Sequence, residues 1–348
     1  MGHRPVFDHL SSLTTPLGLY EHALGTAPRL EHAYCVDDVA RGLVVATREP
    51  DPSPQVRWLA EGYLAFVLDA LRPDGLVHNR RNLDGTWADR PSTADHWGRA
   101  LWAMGTAAAH SPDDELAERA RAGAGLALRS RSRWPRAMAY AALGAGQLLA
   151  SVPDDVSSLR LLADARRALP RAGDDPTWPW PEERLTYANP VLPEAMIVIG
   201  RALDDERALG EGLLLLQWLV SAQQRDGHLS VVPSTGWSQQ DLRLDDWSAT
   251  GQSRGQYAQQ PIEVAALAEA CRTAYETTGD DDWLAVIDQC LSWFTGANDG
   301  GVPMCDPTTG GGFDGLEEHG ASRNQGAEST LAWLSTVQLA RLSQFAVA

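Results

Sequence analysis

The sequence predicts an all-α fold in which six helix pairs close into an (α/α)6 toroid. Six helices rich in small residues each begin with a polar or acidic cluster, and a more aliphatic helix lies between successive ones. No segment alternates with period two for long enough to build a sheet. The six polar openings are therefore expected to line one funnel.

The inner helices are expected to begin near residues 38, 96, 136, 192, 262 and 326. Each interval between these positions is long enough for two helices and their loops. Small residues cover most faces of these helices, as in residues 137–144, because a central helix contacts neighbours on nearly every side.

The outer helices are expected in residues 5–24, 54–71, 113–128, 156–170, 204–223 and 281–296. In the second of these, Leu59, Tyr63 and Phe66 recur at steps of three and four, which indicates one buried stripe. Several outer helices run into an Asp-Gly pair, where glycine supplies the positive-φ turn that ends a helix.

Length and charge restrict the class of protein. The 348 residues contain no Pro/Ser-rich linker, so residues 1–348 are predicted to form a single catalytic domain. The chain has 29 basic and 46 acidic residues, a formal charge of -17, which argues against nucleic acid or an anionic membrane as partner. A neutral substrate is the expected partner, and the oligomeric state is left open.

The four cysteines show no spacing typical of a metal site. The N-terminus leads into no apolar signal region, and no stretch approaches the roughly 20 apolar residues of a membrane span. We therefore expect a cytoplasmic protein with reduced thiols, no metal and no cofactor. The cysteines are Cys35, Cys271, Cys290 and Cys305.

Carboxylates recur at the openings of the inner helices. One interpretation is capping, because acidic side chains in a first turn satisfy free backbone N–H groups and complement the helix dipole. The other is a catalytic funnel, since amide side chains accompany the acid at two openings, and sugar hydroxyls need groups that both donate and accept. The acids are Asp37, Asp38, Asp95, Glu194, Glu263 and Glu328, and the amides are Gln259, Gln260, Asn324 and Gln325.

The acids of the first and fifth openings are predicted to face each other across the ring, or nearly so, and to flank a glycosidic bond. A separation of about 6.5 to 9.5 Å between them would leave room for a water and invert the anomeric centre. Asp37 and Asp38 are about 100° apart on a helix, so one of them is expected to reach the substrate. Alignment of the first two openings sets Asp38 opposite His96, which favours Asp38 as the partner of Glu263.

Other polar residues of the openings are assigned to substrate binding or to support. Arg41 and Arg99 lie one turn into inner helices among apolar neighbours, so each is expected to pair with a carboxylate in the funnel. Glu328 and Glu194 are expected to bind hydroxyls or to be structural. Asp95 and His96 open the second inner helix and belong to the predicted binding set.

The chain has 13 tryptophans, and several lie in loops. Indole faces stack on the C–H faces of pyranose rings, which suits a sugar polymer, although loop tryptophans also fill gaps between helices. Trp237 is favoured for binding because its loop, residues 230–259, is the longest unpatterned stretch and a predicted lid. The Gly-rich loop 305–320 lacks the order of a phosphate-binding loop. The loop tryptophans are Trp87, Trp134, Trp178, Trp180, Trp237 and Trp247.

Four strings together resemble a bacterial (α/α)6-barrel family often encoded with or fused to glycosyltransferases. They are residues 32–41, 178–189, 259–263 and 324–330, and the likeness runs from about Phe7 to Leu342. Within these strings Tyr34, Tyr187 and Asn189 join the predicted binding residues. Residues 238–256 look longer than the usual connection in this family.

Within the family, the sequence is similar to actinobacterial hydrolases that cut methylmannose polysaccharides, which are α-1,4-linked mannans partly methylated on oxygen. That resemblance implies an endo-acting mannosidase whose acids correspond to the Asp37/Asp38 pair and Glu263.

Three other classes remain as alternatives. Terpene cyclases and prenyltransferases share the toroid, but Cys35 occupies the first position of the Asp-X-Asp-Asp motif that a cyclase needs, and no zinc set is evident. Sugar epimerases of this shape rely on paired funnel histidines, and His96 is the only histidine at an inner opening. A non-catalytic glycan-binding module would keep the tryptophans and amides without needing two acids.

Overall fold

Six helices form the inner ring of the protein. In this computed structural model, which describes residues 4–243 and 255–346, each begins where the sequence predicts. Each packs against the next along the chain, and the last packs against the first, so the ring is closed. These helices are α2 (Val36–Thr47), α4 (Asp95–His110), α6 (Pro135–Ser151), α8 (Val191–Ala202), α11 (Pro261–Thr278) and α13 (Ala327–Ala346).

Five helices lie outside this ring, each following its inner partner in the chain. They confirm five of the six predicted outer positions, and the predicted (α/α)6 toroid is the observed architecture. The outer helices are α3 (Pro54–Ala70), α5 (Asp114–Ala127), α7 (Val156–Ala168), α9 (Glu206–Ala222) and α12 (Asp282–Phe294).

The prediction of a first outer helix over residues 5–24 is wrong in length. Only α1 (Asp8–Ser12) forms there, and it packs against α13. Gly18 has φ +147, and a Cβ at this position would lie 2.7 Å from the ring of Phe66. The chain therefore turns back in short hairpins instead of continuing as a helix, and this part of the outer ring is thin.

Strands are restricted to two-residue segments in the part of the chain that the structure describes. They form seven antiparallel pairs: β1–β2, β3–β4, β5–β6, β7–β10, β8–β9, β11–β12 and β13–β14. The strands are β1 (Thr14–Thr15), β2 (Gly18–Leu19), β3 (Ala23–Leu24), β4 (Ala27–Pro28), β5 (Tyr34–Cys35), β6 (Arg80–Arg81), β7 (Arg184–Leu185), β8 (Gln224–Arg225), β9 (His228–Leu229), β10 (Trp237–Ser238), β11 (Cys305–Asp306), β12 (Gly311–Gly312), β13 (Leu316–Glu317) and β14 (Gly320–Ala321).

Glycine allows the inner helices to approach each other closely. A Cβ on Gly98 would lie 2.2 Å from the carbonyl oxygen of Ala137, and one on Gly105 would lie 2.3 Å from that of Gly144. Real Cβ atoms do not come this close to backbone, so larger residues at either glycine would push α4 and α6 apart. The small-residue composition of the inner helices thus has a direct packing cause.

The two rings differ in how their helices begin. Helices α3, α5, α7 and α9 are capped by the side chains of Ser53, Asp113, Asp155 and Asp205. By contrast, no side-chain hydrogen bond caps the inner helices α2, α4, α6, α8 and α11, and the outer helix α12 also has none. The carboxylates at the inner openings are therefore not N-caps, but they lie in the first turns of their helices, where they complement the helix dipole.

The order of the ring corrects one expectation. Because α13 packs against both α11 and α2, the first and fifth openings are separated by one helix. The opening that lies opposite α2 is that of α8.

No helix within the described ranges is both long enough and apolar enough to cross a membrane.

Candidate active site at the N-terminal end of the inner ring

The N-terminal ends of the inner helices surround a cavity of about 410 Å³, which we call the front cavity. Six of its lining residues are acidic, and only two are arginines. The lining residues are Glu21, His22, Cys35, Asp37, Asp38, Arg41, Asp95, Arg99, Tyr187, Gln260, Asp314, Gly326, Glu328 and Ser329.

One guanidinium joins two carboxylates of this cavity. Arg41 donates through Nη1 to Oδ1 of Asp38 at 2.8 Å, and through Nη2 it contacts Oε2 of Glu328 at 2.8 Å. Because both contacts come from one rigid group, the two carboxylate oxygens lie at most about 8 Å apart. The side chain of Asp38 is 5% exposed, whereas that of Glu328 is 30% exposed.

Tyr187 connects the two arginines of the cavity to Glu328. Its hydroxyl accepts from Nη2 of Arg41 at 2.5 Å and donates to Oε2 of Glu328 at 2.6 Å. Arg99 lies over the rings of Tyr140 and Tyr187, 4.7 and 5.7 Å from their centroids. The α2, α4 and α13 helices and the segment before α8 therefore share one polar network.

Asp37 and Asp38 are adjacent in sequence but differ in ionisation. Burial raises the pKa of Asp38 to about 7, and the negative charges of Glu328 and Glu21 add to this effect against the attraction of Arg41. Burial also acts on Asp37, but the guanidinium charges of Arg99 and Arg41 outweigh it and lower the pKa of Asp37. Near neutral pH, Asp38 is thus available as a proton donor and Asp37 is ionised.

Both aspartates line the cavity, whereas we expected one of them to point away. Asp37 Oδ1 accepts from Arg99 at 2.5 Å and Oδ2 accepts from Asn79 at 3.0 Å. Asp38 accepts from the thiol of Cys35 through Oδ2 at 3.2 Å. The wide angle between successive side chains is compatible with this arrangement because the cavity wraps around the first turn of α2.

Glu263 does not lie on the wall of the front cavity, in contrast to the predicted pairing with Asp38. It is 2% exposed and accepts hydrogen bonds from the side-chain nitrogen of Asn189 at 2.7 Å and from its backbone nitrogen. Burial raises the pKa of Glu263 to about 7, although the hydrogen bonds from Asn189 oppose it. Asn189 contacts this carboxylate, and the glutamates that share the front cavity with Asp38 are Glu21 and Glu328.

The remaining predicted polar residues divide into two groups. The structure places Arg41, Asp95, Arg99, Tyr187 and Gln260 on the cavity wall, and shows the ion pairs expected of both arginines. It does not place Tyr34, His96, Asn189, Gln259, Asn324 or Gln325 there.

The side chains away from the wall have structural partners, except that Oε1 of Gln325 is buried without one. His96 contacts the carbonyl oxygen of Val77 at 2.9 Å, and Tyr34 stacks on Tyr20. Asn324 accepts from the backbone of Gly25 at 2.9 Å. The amide of Gln259 donates to Asp299 and accepts from Trp293, which explains why it is fully buried. Substrate binding by these residues stays a prediction, because none of them lies on the wall of the front cavity.

The predicted tryptophans are also away from the front cavity. Trp178 and Trp180 pack on Trp218, and Trp237 is 1% exposed and donates to the carbonyl oxygen of Gly255 at 2.9 Å. Trp87 stacks on His78, and Trp134 is 49% exposed outside the cavity. These indoles fill gaps or face solvent, while Trp247 lies outside the described residues.

Six wall residues were missed by sequence reasoning, among them Cys35 and Gly326, which belong to the first and sixth predicted openings. Glu21 and His22 fall in the segment predicted as the first outer helix, and Asp314 lies in the Gly-rich loop 305–320. Ser329 follows Glu328 on the same first turn. Asp314 was detectable as the acid within a glycine-rich loop, because such a loop can bring backbone close to a site. Its Oδ1 accepts from the backbone of Gly326 at 2.7 Å.

Three side chains at the cavity have the donor types of a metal site. Glu21, Cys35 and Asp38 each offer one ligand atom, and these atoms lie within 4.8 Å of one another. However, Arg80 pairs with Glu21 and Arg41 pairs with Asp38. Burial and the nearby aspartates raise the pKa of the Cys35 thiol, which disfavours the thiolate that a metal needs. The residues present fit a proton-transfer site better than a cation site.

The predicted lid, residues 230–259, is partly ordered into β10 and the short helix α10 (Gln239–Arg243). Residues 244–254 lie outside the described residues, so the lid stays a prediction. The Gly-rich loop packs closely instead: a Cβ on Gly312 would lie 2.1 Å from the carbonyl oxygen of Ser329. All four cysteines are free and buried.

Comparison with known proteins identifies the fold. No protein-family model matches the sequence, and no curated protein does. A sugar epimerase from a ruminal bacterium superposes with a TM-score of 0.68 at 13% identity, covering 97% of this chain and 96% of that one. The GH76 α-mannanase of Bacteroides thetaiotaomicron gives 0.66 at 10% identity, with 98% and 94% covered.

A further match is the cellobiose 2-epimerase of Spirochaeta thermophila, with a TM-score of 0.65 at 12% identity, covering 99% of this chain and 95% of that one. At such identities the likeness extends to the fold alone. The chain is therefore an (α/α)6 barrel, and its chemistry has to be argued from its own residues.

Proposed function

We propose that this protein is a glycoside hydrolase that cuts α-linked mannan-type polysaccharide. Its proposed targets are internal α-1,4-mannosyl linkages of methylmannose polysaccharide. The observation that carries this proposal is the sharing of Arg41 by Asp38 and Glu328 within one open cavity. Glycoside hydrolysis needs a protonated and an ionised carboxyl group on either side of the scissile bond.

The two carboxyl groups have distinct roles in this proposal. Asp38, whose pKa is raised to about 7, protonates the glycosidic oxygen as it leaves. Glu328, ion-paired with Arg41 and partly exposed, removes a proton from the attacking water. The upper limit of about 8 Å between their oxygens is compatible with inverting and with retaining enzymes. Inversion stays our prediction, and NMR of the anomer formed first tests it.

Glu263 has a supporting role in this scheme. Its carboxylate holds the backbone and side chain of Asn189, two residues after Tyr187. Ala188, between them, has φ 45, a conformation that needs such support in a residue other than glycine. Glu263 thereby fixes the segment that carries the Tyr187 hydroxyl into the cavity.

The substrate class follows from the remaining wall residues and from the resemblance described above. Gln260, Ser329 and Asp95 offer donors and acceptors for sugar hydroxyls. The volume of about 410 Å³ is within the range of small-ligand sites, and its open side leaves room for a polymer to continue. The α-mannanase among the structural matches supports an α-mannan as the substrate.

The direct test is incubation with a panel of α- and β-mannans and glucans, followed by mass spectrometry. We expect shorter oligosaccharides from α-1,4-mannan and its methylated form only. Asp38→Asn is expected to abolish these products while oligosaccharide binding, measured by calorimetry, persists. Products from the Asp38→Asn variant at the wild-type rate would contradict the proposal, as would binding to α-mannan with no cleavage by the wild type.

A sugar epimerase is the second candidate, and one observation favours it. His22 lies on the cavity wall, and its ring meets that of His32 edge-on at 4.7 Å between centroids. Paired histidines suit removal and return of a proton at a carbon next to a carbonyl. The mass spectra separate the two functions, because hydrolysis adds one water for each bond cut and epimerisation leaves the mass unchanged.

A further inference from the structure

Cys35 lies on the wall of the front cavity and has no role in the proposed hydrolysis as described so far. It is 1% exposed and is the N-cap residue of α2, where no side-chain hydrogen bond caps the helix. Its thiol donates instead to Oδ2 of Asp38 at 3.2 Å. A weak hydrogen-bond donor therefore lies directly against the proposed general acid.

The backbone fixes the thiol in this position. Strand β5 pairs with β6, with Cys35 opposite Arg80, so the strand end that carries the thiol is held from outside α2. Cys35 is extended, with φ -132 and ψ 149, and Asp38 follows in the first turn of α2. The thiol contact therefore ties the side chain of Asp38 to a strand pair that lies outside its own helix.

The two oxygens of Asp38 have different partners. Oδ1 accepts from the guanidinium of Arg41 at 2.8 Å, whereas Oδ2 accepts from the thiol. A proton on Oδ1 would face a cation, so the proton of the neutral acid belongs on Oδ2. A protonated carboxyl oxygen keeps acceptor capacity, so the thiol can donate to it in both protonation states.

The thiol nevertheless favours the ionised state of Asp38, because a hydrogen bond to a charged oxygen is stronger than one to a neutral oxygen. In the proposed reaction, the proton on Oδ2 passes to the glycosidic oxygen while the bond from that oxygen to the anomeric carbon breaks. The electron pair of the O–H bond stays on Oδ2. The thiol then donates to a negative oxygen and stabilises the product of the transfer more than the reactant.

Cys35 remains a donor because its thiol does not ionise near neutral pH. Burial and the negative charges of Asp38, Asp37 and Glu21 raise the pKa of the Cys35 thiol. Burial also raises the pKa of Asp38 to about 7, whereas the hydrogen bond from Cys35 lowers it. The group of this pair that titrates near neutral pH is therefore Asp38.

Other charged groups around the front cavity also act on Asp38. Arg41 of α2 favours its ionised form, while Glu328 of α13 and Glu21 before β3 favour its neutral form. A substitution at Cys35 alters none of these groups, so a changed titration of Asp38 reports the thiol contact. The other titratable groups of the wall are His22, Asp37, Asp95, Arg99, Tyr187 and Asp314, and Arg80 pairs with Glu21.

We propose that Cys35 is a positioning residue of the front cavity, whose thiol holds Oδ2 of Asp38 and stabilises the carboxylate that remains after proton transfer. The part that this contact has in catalysis rests on the proposed hydrolysis. Its effect on the protonation of Asp38 does not, and it is measured without substrate.

The test compares Cys35→Ala, which removes the donor, with Cys35→Ser, which replaces it by a stronger one. The pKa of Asp38 is followed by NMR of isotope-labelled aspartate carboxyl carbons through neutral pH, and its signal is identified by its absence in Asp38→Asn. We expect this pKa to rise by about half a pH unit or more in Cys35→Ala and to fall by a similar amount in Cys35→Ser. A purely structural role would not move it in opposite directions.

A matched control uses a thiol away from the cavity. Cys290→Ala removes a buried thiol of the outer helix α12 and should leave the pKa of Asp38 unchanged. A serine hydroxyl that accepts from the backbone at the N-cap keeps its proton for Oδ2, so capping of α2 does not cancel the effect of Cys35→Ser.

Activity separates this proposal from the proposed function. With α-1,4-mannan, the decline of kcat at high pH should move with the pKa of Asp38 in each variant. An unmoved Asp38 titration in both variants, or shifts in the same direction, would overturn the role of Cys35 even in an active hydrolase. Opposite shifts in a protein that cleaves no mannan would support the thiol contact and overturn the proposed hydrolysis.

Discussion

The two ends of the barrel use the same kinds of residue in different arrangements. At the front, Arg41 is shared by Asp38 and Glu328, and a second arginine, Arg99, pairs with Asp37. At the back, Arg48 pairs with the single carboxylate of Glu269. Burial of Asp38, together with the negative charges of Glu328 and Glu21, outweighs the attraction of the shared Arg41, so Asp38 retains its proton more readily.

The comparison indicates how the proposed site at the front differs from the charged cluster at the back. Both ends contain buried carboxylates with a raised pKa, Asp38 at the front and Glu194 at the back. At the front the neutral acid lies beside Asp37, which is ionised and 23% exposed, whereas at the back it lies beside Glu269, which is 12% exposed and paired with Arg48. Two acids in different protonation states are what acid–base catalysis requires.

The largest expected difference in kcat between the two ends comes from removing one arginine at each of them. Arg41→Gln takes the cation from two carboxylates of the proposed site, so we expect the kcat for α-mannan hydrolysis to fall about 100-fold or more. Arg48→Gln, the matched variant at the back, is expected to lower thermal stability and to leave kcat within about twofold of the wild type. Equal losses of kcat in both variants would show that the two ends do not differ in function.

The pH dependence of kcat sharpens the assignment of Asp38. A carboxyl group with a pKa of about 7 is protonated below that pH and ionised above it. Because a general acid must carry its proton, kcat is expected to decline above about pH 7, by up to about tenfold for each further pH unit. Residual activity of Asp38→Asn should lack this decline. A flat wild-type profile between pH 6 and 9 would exclude Asp38 as the acid.

The smallest expected effect concerns the stability of the folded protein and its dependence on Glu194, which is buried toward the C-terminal ends of the inner helices. Glu194 has a pKa of about 8 in the folded protein, against an ordinary value of 4.5. Between these two pH values, the folded protein keeps a proton that the unfolded chain has released. Stability therefore falls as the pH rises through this window, and the full cost is present above about pH 8.

The neutral isostere Glu194→Gln removes this cost. We expect its unfolding midpoint at pH 8.5 to lie about 2 to 5 °C above that of the wild type, and the difference to disappear near pH 4. Glu183→Gln, at an exposed position in the loop before β7, is the control and should change neither value. A Glu194→Gln variant less stable than the wild type at pH 8.5 would contradict this account.

Periodicity alone predicted most of the fold. The inner helices were found because residues such as 137–144 are small on all faces, and the observed approach of α4 to α6 explains that composition. The failure at residues 5–24 has a local cause, because Pro16 and Gly18 follow closely on the short helix α1. A hydrophobic pattern does not reveal that these two residues redirect the chain.

The candidate site was predicted less completely than the fold. Asp37, Asp38 and Glu328 were identified because inner openings converge, which depends on helix order alone. In our proposal Glu328 replaces Glu263 as the partner of Asp38, because Asn189 occupies the Glu263 carboxylate through a contact between residues 74 positions apart. The loop residues Glu21 and Asp314 reach the cavity through turns without any periodic signal, so spacing could not find them.

The central claim, that Asp38 acts with Glu328 in one cavity, is tested most directly by comparing Glu328→Gln with Glu263→Gln. Both substitutions preserve side-chain volume, and both are to be measured as kcat on α-1,4-mannan with folding checked by circular dichroism. We predict a loss of about 1000-fold for Glu328→Gln and of about tenfold for Glu263→Gln, which only loosens the support of Tyr187. The reverse order, with Glu328→Gln active and Glu263→Gln inactive, would contradict the account.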